Sequence, residues 1–208
     1  MGRMHAEGVT LIELLVTLAV LAAVLAIGIP AFGDFFANNR MSAAVNDMVS
    51  ALHLARSEAV KRRSTITLCA SSDWQSGSPS CTAANGPEQG WIVFADPNAN
   101  AVRDAGEAIV DSHGPLPQAI ADRISWVDED GNGATPFYVS FAPTGFRQDL
   151  AGLPRCAAHL QLCDDRGDRE VTGGVAAGRW IVISPTGRPR ILAERAQLQD
   201  ADNPLGGC

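Results

Sequence analysis

Apolar residues fill nearly every position over 9–29, with Glu13 the one carboxylate inside the run and Pro30 just past its end. A span of ~20 such residues is long enough to cross a bilayer as a helix. A carboxylate within it costs at least ~2.5 kcal/mol at mid-bilayer and less near the interface, so Glu13 marks a functional position. Gly28, Pro30 and Gly33 are expected to weaken or kink the helix, because proline lacks the backbone donor and crowds the preceding turn. The pattern then changes. Met41, Val45, Met48, Leu52, Ala55 and Ala59 recur at alternating spacings of four and three, opposite Asn46, Asp47, Ser50, Ser57 and Lys61. That is an amphipathic stripe. The two patterns predict one long helix over 9–63, apolar all round over 9–29 and one-sided over 37–63. Lys61, Arg62 and Arg63 close it, where positive charge suits the helix dipole.

From residue 64 the period becomes two. Strands are expected near 65–69, 90–94, 108–111, 123–127, 137–141, 158–163, 179–184 and 188–193, separated by turn residues. Short strands punctuated this way predict an antiparallel, sandwich-like β domain over 64–208 packed on the helix, an α+β architecture. The acidic end, 194–208, is expected to be a mobile tail.

A chain of 208 residues accommodates one helical anchor and one domain of ordinary size. Its net charge of -7 is uneven, near neutral over 9–63, -8 over 64–146 and balanced over 147–208. An acidic middle excludes a protein coated for general nucleic-acid binding, so any such contact must be local. Fifteen of the sixteen basic residues are arginine, the side chain suited to bidentate phosphate recognition.

Little of the sequence reads as catalysis. The histidines are scattered, and no nucleophile elbow or phosphate-binding glycine loop is present, so the chain reads as a non-enzyme without a cofactor. Asp96, Asn98, Asn100, Asp104 and Glu107 occupy positions one, three, five, nine and twelve of a loop that resembles a calcium-binding one. Ala101 replaces the glycine of its sharp turn, and strands flank it, which favours a simple polar turn. The more informative stretch is Ser184-Pro185-Thr186-Gly187-Arg188-Pro189-Arg190-Ile191. Residues two apart in extended chain point to one side, and Pro189 biases Arg188 toward extended geometry. Arg188 and Arg190 thus present two guanidinium groups to one ligand, a spacing that suits a nucleic-acid backbone. Ala142-Pro143-Thr144-Gly145-Phe146-Arg147 echoes the same turn.

The leader ending in Gly8, followed by Val9-Thr10-Leu11-Ile12-Glu13, resembles the class III signal of type IV pilins and type II secretion pseudopilins. The resemblance implies a leader over 1–8, cleavage after Gly8 by a prepilin peptidase and N-methylation of Val9. Glu13 would then pair with the terminal charge of a neighbouring subunit. Leu54-Ala55-Arg56-Ser57-Glu58-Ala59 and Gly90-Trp91-Ile92-Val93-Phe94 resemble the GspH/FimT group, and Gly187-Arg188-x-Arg190 is similar to the signature of FimT-type minor pilins. That implies a minor subunit held in the bacterial inner membrane with a periplasmic domain, then displayed on a pilus with other pilin subunits. It also implies DNA binding through Gly187, Arg188 and Arg190 during uptake for natural transformation. The competing reading is a GspH-like pseudopilin of a type II secretion system with protein partners only. Exported cysteines meet an oxidising compartment. Four cysteines allow three connectivities, and the short-loop pairs Cys69 with Cys81 and Cys156 with Cys163 are favoured, leaving Cys208 over. A zinc site would need tighter spacing and more histidines than His159.

Overall fold

The two helical patterns join into a single element, α1, Leu11–Arg62, helical without a break through residues 28–33. The structure, a computed structural model, describes residues 8–82, 86–133 and 135–208, without the side chains of residues 27, 29–31 and 172. Residues 1–7 of the expected leader therefore lie outside the described residues, and of the expected span 9–29 only the side chains of residues 27 and 29 do. Among the described residues no helix is long and apolar enough to cross a membrane. The chain divides into two units after Asn39.

In the first unit the described large apolar side chains are exposed, among them Leu11, Leu15, Val20 and Val24. The start of α1 is a capping box. The Thr10 amide donates to Glu13 Oε2 at 3.0 Å, the Thr10 hydroxyl donates to the same oxygen at 2.9 Å, and the Glu13 amide donates back to Thr10 Oγ1 at 3.3 Å. Glu13 is therefore not an orphaned carboxylate, because its own helix end supplies donors that would otherwise be unsatisfied.

In the second unit, Arg40–Cys208, every residue of the expected stripe is buried. It shares one core with both sheets of the domain. In chain order the strands are β1 (Ile66–Ala70), β2 (Trp91–Ala95), β3 (Ile109–His113), β4 (Ile124–Val127), β5 (Tyr138–Phe141), β6 (Arg147–Gln148), β7 (His159–Leu162), β8 (Glu170–Thr172), β9 (Val175–Ile183) and β10 (Pro189–Glu194). Eight of the ten fall where the alternation places them. The exceptions are β6 and β8, two and three residues long, too short to show a period. Short helices α2 (Gln118–Ala121) and α3 (Arg195–Leu198) complete the domain.

One sheet has the order β3-β2-β1-β5-β6 and the other β10-β9-β7-β4, with β8 beside β9. All pairings are antiparallel. Strand β1 is buried on both faces. Ile66, Leu68 and Ala70 join the core with the helix, while Cys69 belongs to a smaller cluster with Ile92, Phe94, Tyr138 and Cys156. All buried hydrophobic residues fall between Met41 and Leu198, so the second unit contains the described core entire.

Two expectations about the cysteines and the tail need correction. Cys69 does pair with Cys81, but the second bridge is Cys163–Cys208, and Cys156 is a buried free thiol. The pair Cys156–Cys163 fails because β7 lies between its members. Seven residues of near-extended chain separate them by roughly 20 Å, against a limit of about 7 Å between bridged Cα atoms. The tail is likewise not loose. Leu198 is fully buried, Asn203 donates to Gln161 Oε1 at 2.9 Å and to Leu198 O at 2.7 Å, and Cys208 fastens the end to Cys163.

Burial pushes the Cys156 thiol up to about 12, so the attacking thiolate is scarce and inaccessible. Thiol titration of the oxidised native chain at mildly alkaline pH should find no reactive group, and denaturation should release one per chain, at Cys156. Peptide mapping should recover residues 163 and 208 linked. A linked 156–163 peptide would contradict the assignment.

Candidate functional site

The two echoed segments fold into twin turns. In the first, the Gly145 amide donates to Ala142 O at 2.7 Å and the Ala142 amide to Phe146 O at 2.9 Å. In the second, the Gly187 amide donates to Ser184 O at 2.8 Å and the Ser184 amide to Arg188 O at 3.1 Å. Both central glycines are left-handed, with φ of 80° at Gly145 and 75° at Gly187. This is a three-residue hairpin loop with the αL position that favours glycine. Ser184 tightens the second turn, since its hydroxyl lies 2.9 Å from Thr186 Oγ1 and accepts from the Arg188 amide at 3.2 Å.

The twins belong to different sheets yet touch. A Cβ placed on Gly187 would lie 2.2 Å from Gly145 O, 3.2 Å from Arg56 Nε and 3.2 Å from the Phe141 ring. Arg56 comes from α1 and donates from Nε to Gly145 O at 2.9 Å. The Arg147 amide donates to Pro185 O at 3.1 Å. Helix and both sheets are therefore joined at one point, and glycine at 187 is demanded by conformation and by space. Nothing in the local sequence announces the part of Arg56, which meets a carbonyl 89 positions away. The repeated Pro-Thr-Gly was the available signal that the two segments form a pair.

Gly187 itself is buried, whereas Arg188 and Arg190 are exposed. Among the described residues neither guanidinium has an ion pair. Arg190 stands opposite Val182 on β10, an edge strand of its sheet. The arginine of the other turn differs. Arg147 is 6% exposed and bridges Glu129 at 2.6 Å, so its charge is committed inside the domain. It also helps burial hold His159 below the usual histidine range. Beside the twin turns a shallow groove is lined by His53, Leu54, Arg56, Ser57, Val60 and Thr144.

The loop that resembles a calcium site has its donors occupied. Asp96 is fully buried, accepting from the Thr67 hydroxyl at 2.8 Å and from the amides of Asn100 and Ala101. Asn98 and Asn100 donate to Asp104, and the Asp104 amide donates to Glu107. Ala101 makes the left-handed turn itself, at φ 53°. Burial, then the nearby charges of Asp96 and Asp104, raise the Glu107 carboxyl. Among the described residues no three acidic, histidine or cysteine groups gather to hold a metal.

The sequence profile of the family described as type II transport protein GspH matches residues 44–187, and the prokaryotic N-terminal methylation motif matches residues 3–29. No curated protein matches the chain by sequence. Two crystal forms of the type IV minor pilin FimU from Pseudomonas aeruginosa are similar in structure. One is 20% identical, with a TM-score of 0.43 over 77% of this chain and 92% of that one. The other is 18% identical, with a TM-score of 0.40 over 73% and 91%.

Gly187→Ala should cost about 1–2 kcal/mol for the left-handed backbone alone, and more from the contact with Gly145 O. Urea unfolding of the 40–208 fragment measures it. A variant as stable as the parent would show that the turns do not meet as described.

Proposed function

The chain belongs to the GspH family, and from that premise we propose that it is a FimT-like minor pilin that binds DNA without sequence preference during uptake. The observation that carries this reading is the pair Arg188 and Arg190, two exposed guanidinium groups without ion pairs, on a turn held in place by its twin. Arginine's planar fork suits the non-bridging oxygens of successive phosphates. Gly187 acts by letting that turn seat against Gly145. Residues 9–29 anchor the chain in the inner membrane before assembly, and the domain faces the periplasm. Prepilin peptidase cuts after Gly8, Val9 becomes the methylated terminus, and other pilin subunits then receive the helix.

A second reading has its own support. The net charge of -7 opposes a polyanion, and a structural pseudopilin of a type II secretion system needs only protein partners. Two phosphate contacts predict that DNA affinity falls roughly ten-fold between about 50 and 200 mM salt. Fluorescence anisotropy with the 40–208 fragment tests this, and Arg188→Gln with Arg190→Gln should remove the binding. A folded fragment that binds no DNA at low salt returns the chain to the structural class.

For Glu13 the capping box supplies a rival to assembly. Glutamine at that position can still cap the helix, but it carries no charge for a neighbouring subunit's terminus. We expect Glu13→Ala and Glu13→Gln to leave processing and insertion intact, and both to reduce recovery in sheared filaments. Normal incorporation of the glutamine variant would reduce Glu13 to a cap.

A further inference from the structure

The twin turns join a segment that carries an exposed aromatic ring to one that carries two exposed cations. Phe146 and Arg188 hold the same position, directly after the left-handed glycine, in two turns whose backbones meet at Gly145 and Gly187. Phe146 is 53% exposed, while Trp91, Phe94, Phe137, Tyr138 and Phe141 are buried almost completely. In the second unit the exposed large hydrophobic residues are Val60, Val102, Phe146 and Ile191. Two of these border the same place. A Cβ on Gly145 would lie 2.9 Å from Val60 Cγ2, and Phe146 ends the first turn directly after Gly145. The groove with Val60 and Thr144 on its wall adjoins the first turn.

Resting on the DNA reading above, we infer that the preferred ligand of this face is single-stranded DNA, with Phe146 as a platform on which an unpaired base stacks. Two unpaired arginines on a chain of charge -7 make a weak electrostatic site for a duplex, whose binding comes chiefly from counterion release over many phosphates. A single strand offers base faces as well. Stacking on an aromatic ring is tolerant of sequence and adds to backbone contacts. Arg188 and Arg190 fix the backbone, Phe146 takes a base, and the groove along Thr144 and Val60 gives an extended strand room to continue. A duplex keeps its bases stacked inside and leaves the ring without a partner.

The test measures anisotropy of the 40–208 fragment with a labelled oligothymidine, an abasic strand of equal length and a matched duplex. The single strand should bind tighter than the other two. Phe146→Ala should weaken it roughly five- to hundred-fold, leave duplex and abasic binding unchanged, and be rescued by Phe146→Trp. Equal binding of strand and duplex, or no effect of Phe146→Ala on the single strand, overturns the inference. If Arg188→Gln with Arg190→Gln still removes DNA binding in that case, the DNA reading survives without it. A wild-type fragment that binds none of the three probes overturns both.

Discussion

The domain depends on one stripe of small and medium side chains along α1. Met41, Ala44, Val45, Met48, Ala51, Leu52, Ala55 and Ala59 are buried together with Ile66, Leu68, Val93, Val139, Leu160, Leu162, Ile181 and Ile183. These come from both sheets, so the helix is the third wall of a core that neither sheet closes alone. Fully burying each of the stripe's valine, leucine and methionine side chains contributes roughly 1.5–3 kcal/mol, so the stripe is a large term in holding the architecture. The alanines let strands approach closely, and the bulkier residues between them fill what remains. Polar replacement within the stripe would disturb both sheets at once.

That wall also orients the candidate site. Arg56 follows directly after Ala55 of the stripe, so the burial that fixes Ala55 also fixes where Arg56 leaves the helix. Its Nε–H reaches Gly145 O, and the carbonyl in turn sets the floor under Gly187. The path from core to the exposed arginines is short and made of stiff parts: helix, carbonyl, glycine turn, then Arg188. Exposed arginines lose considerable rotamer freedom on binding. Seating their backbone on a rigid turn confines that loss to the side chains.

Sequence pattern made the fold legible because each element carries its own period and its own punctuation. The stripe over 41–59 has helical spacing, and the strands end at proline, glycine and serine clusters. What escaped was every feature set by distance in space. Cys156 and Cys163 are close in sequence but stand at opposite ends of an extended strand, while Cys208 reaches Cys163 across 45 positions. The same bridge fastens a tail whose acidic composition looks mobile. Of the site, Gly187, Arg188 and Arg190 were legible as a turn with two cations. The clamp by Arg56, and the commitment of Arg147 to Glu129, depend on partners that no local window contains. Thr10 and Glu13 are the opposite case. Their capping-box spacing is local and stands in the sequence itself.

The twin turns separate two properties that their similar sequences would otherwise suggest they share. Both use proline, threonine and a left-handed glycine, and both end a hairpin, yet one exposes Arg188 and Arg190 while the other exposes Phe146 and turns Arg147 inward. A buried guanidinium needs a partner, and Glu129 supplies it. The exposed ring has no such partner among the described residues, and exposing an aromatic costs stability that burial would recover. Two copies of one turn thus carry exposed charge on one and an exposed apolar ring on the other, joined by a glycine contact too tight for a side chain. A ligand with charge and flat apolar surface in regular alternation matches that arrangement better than one with charge alone.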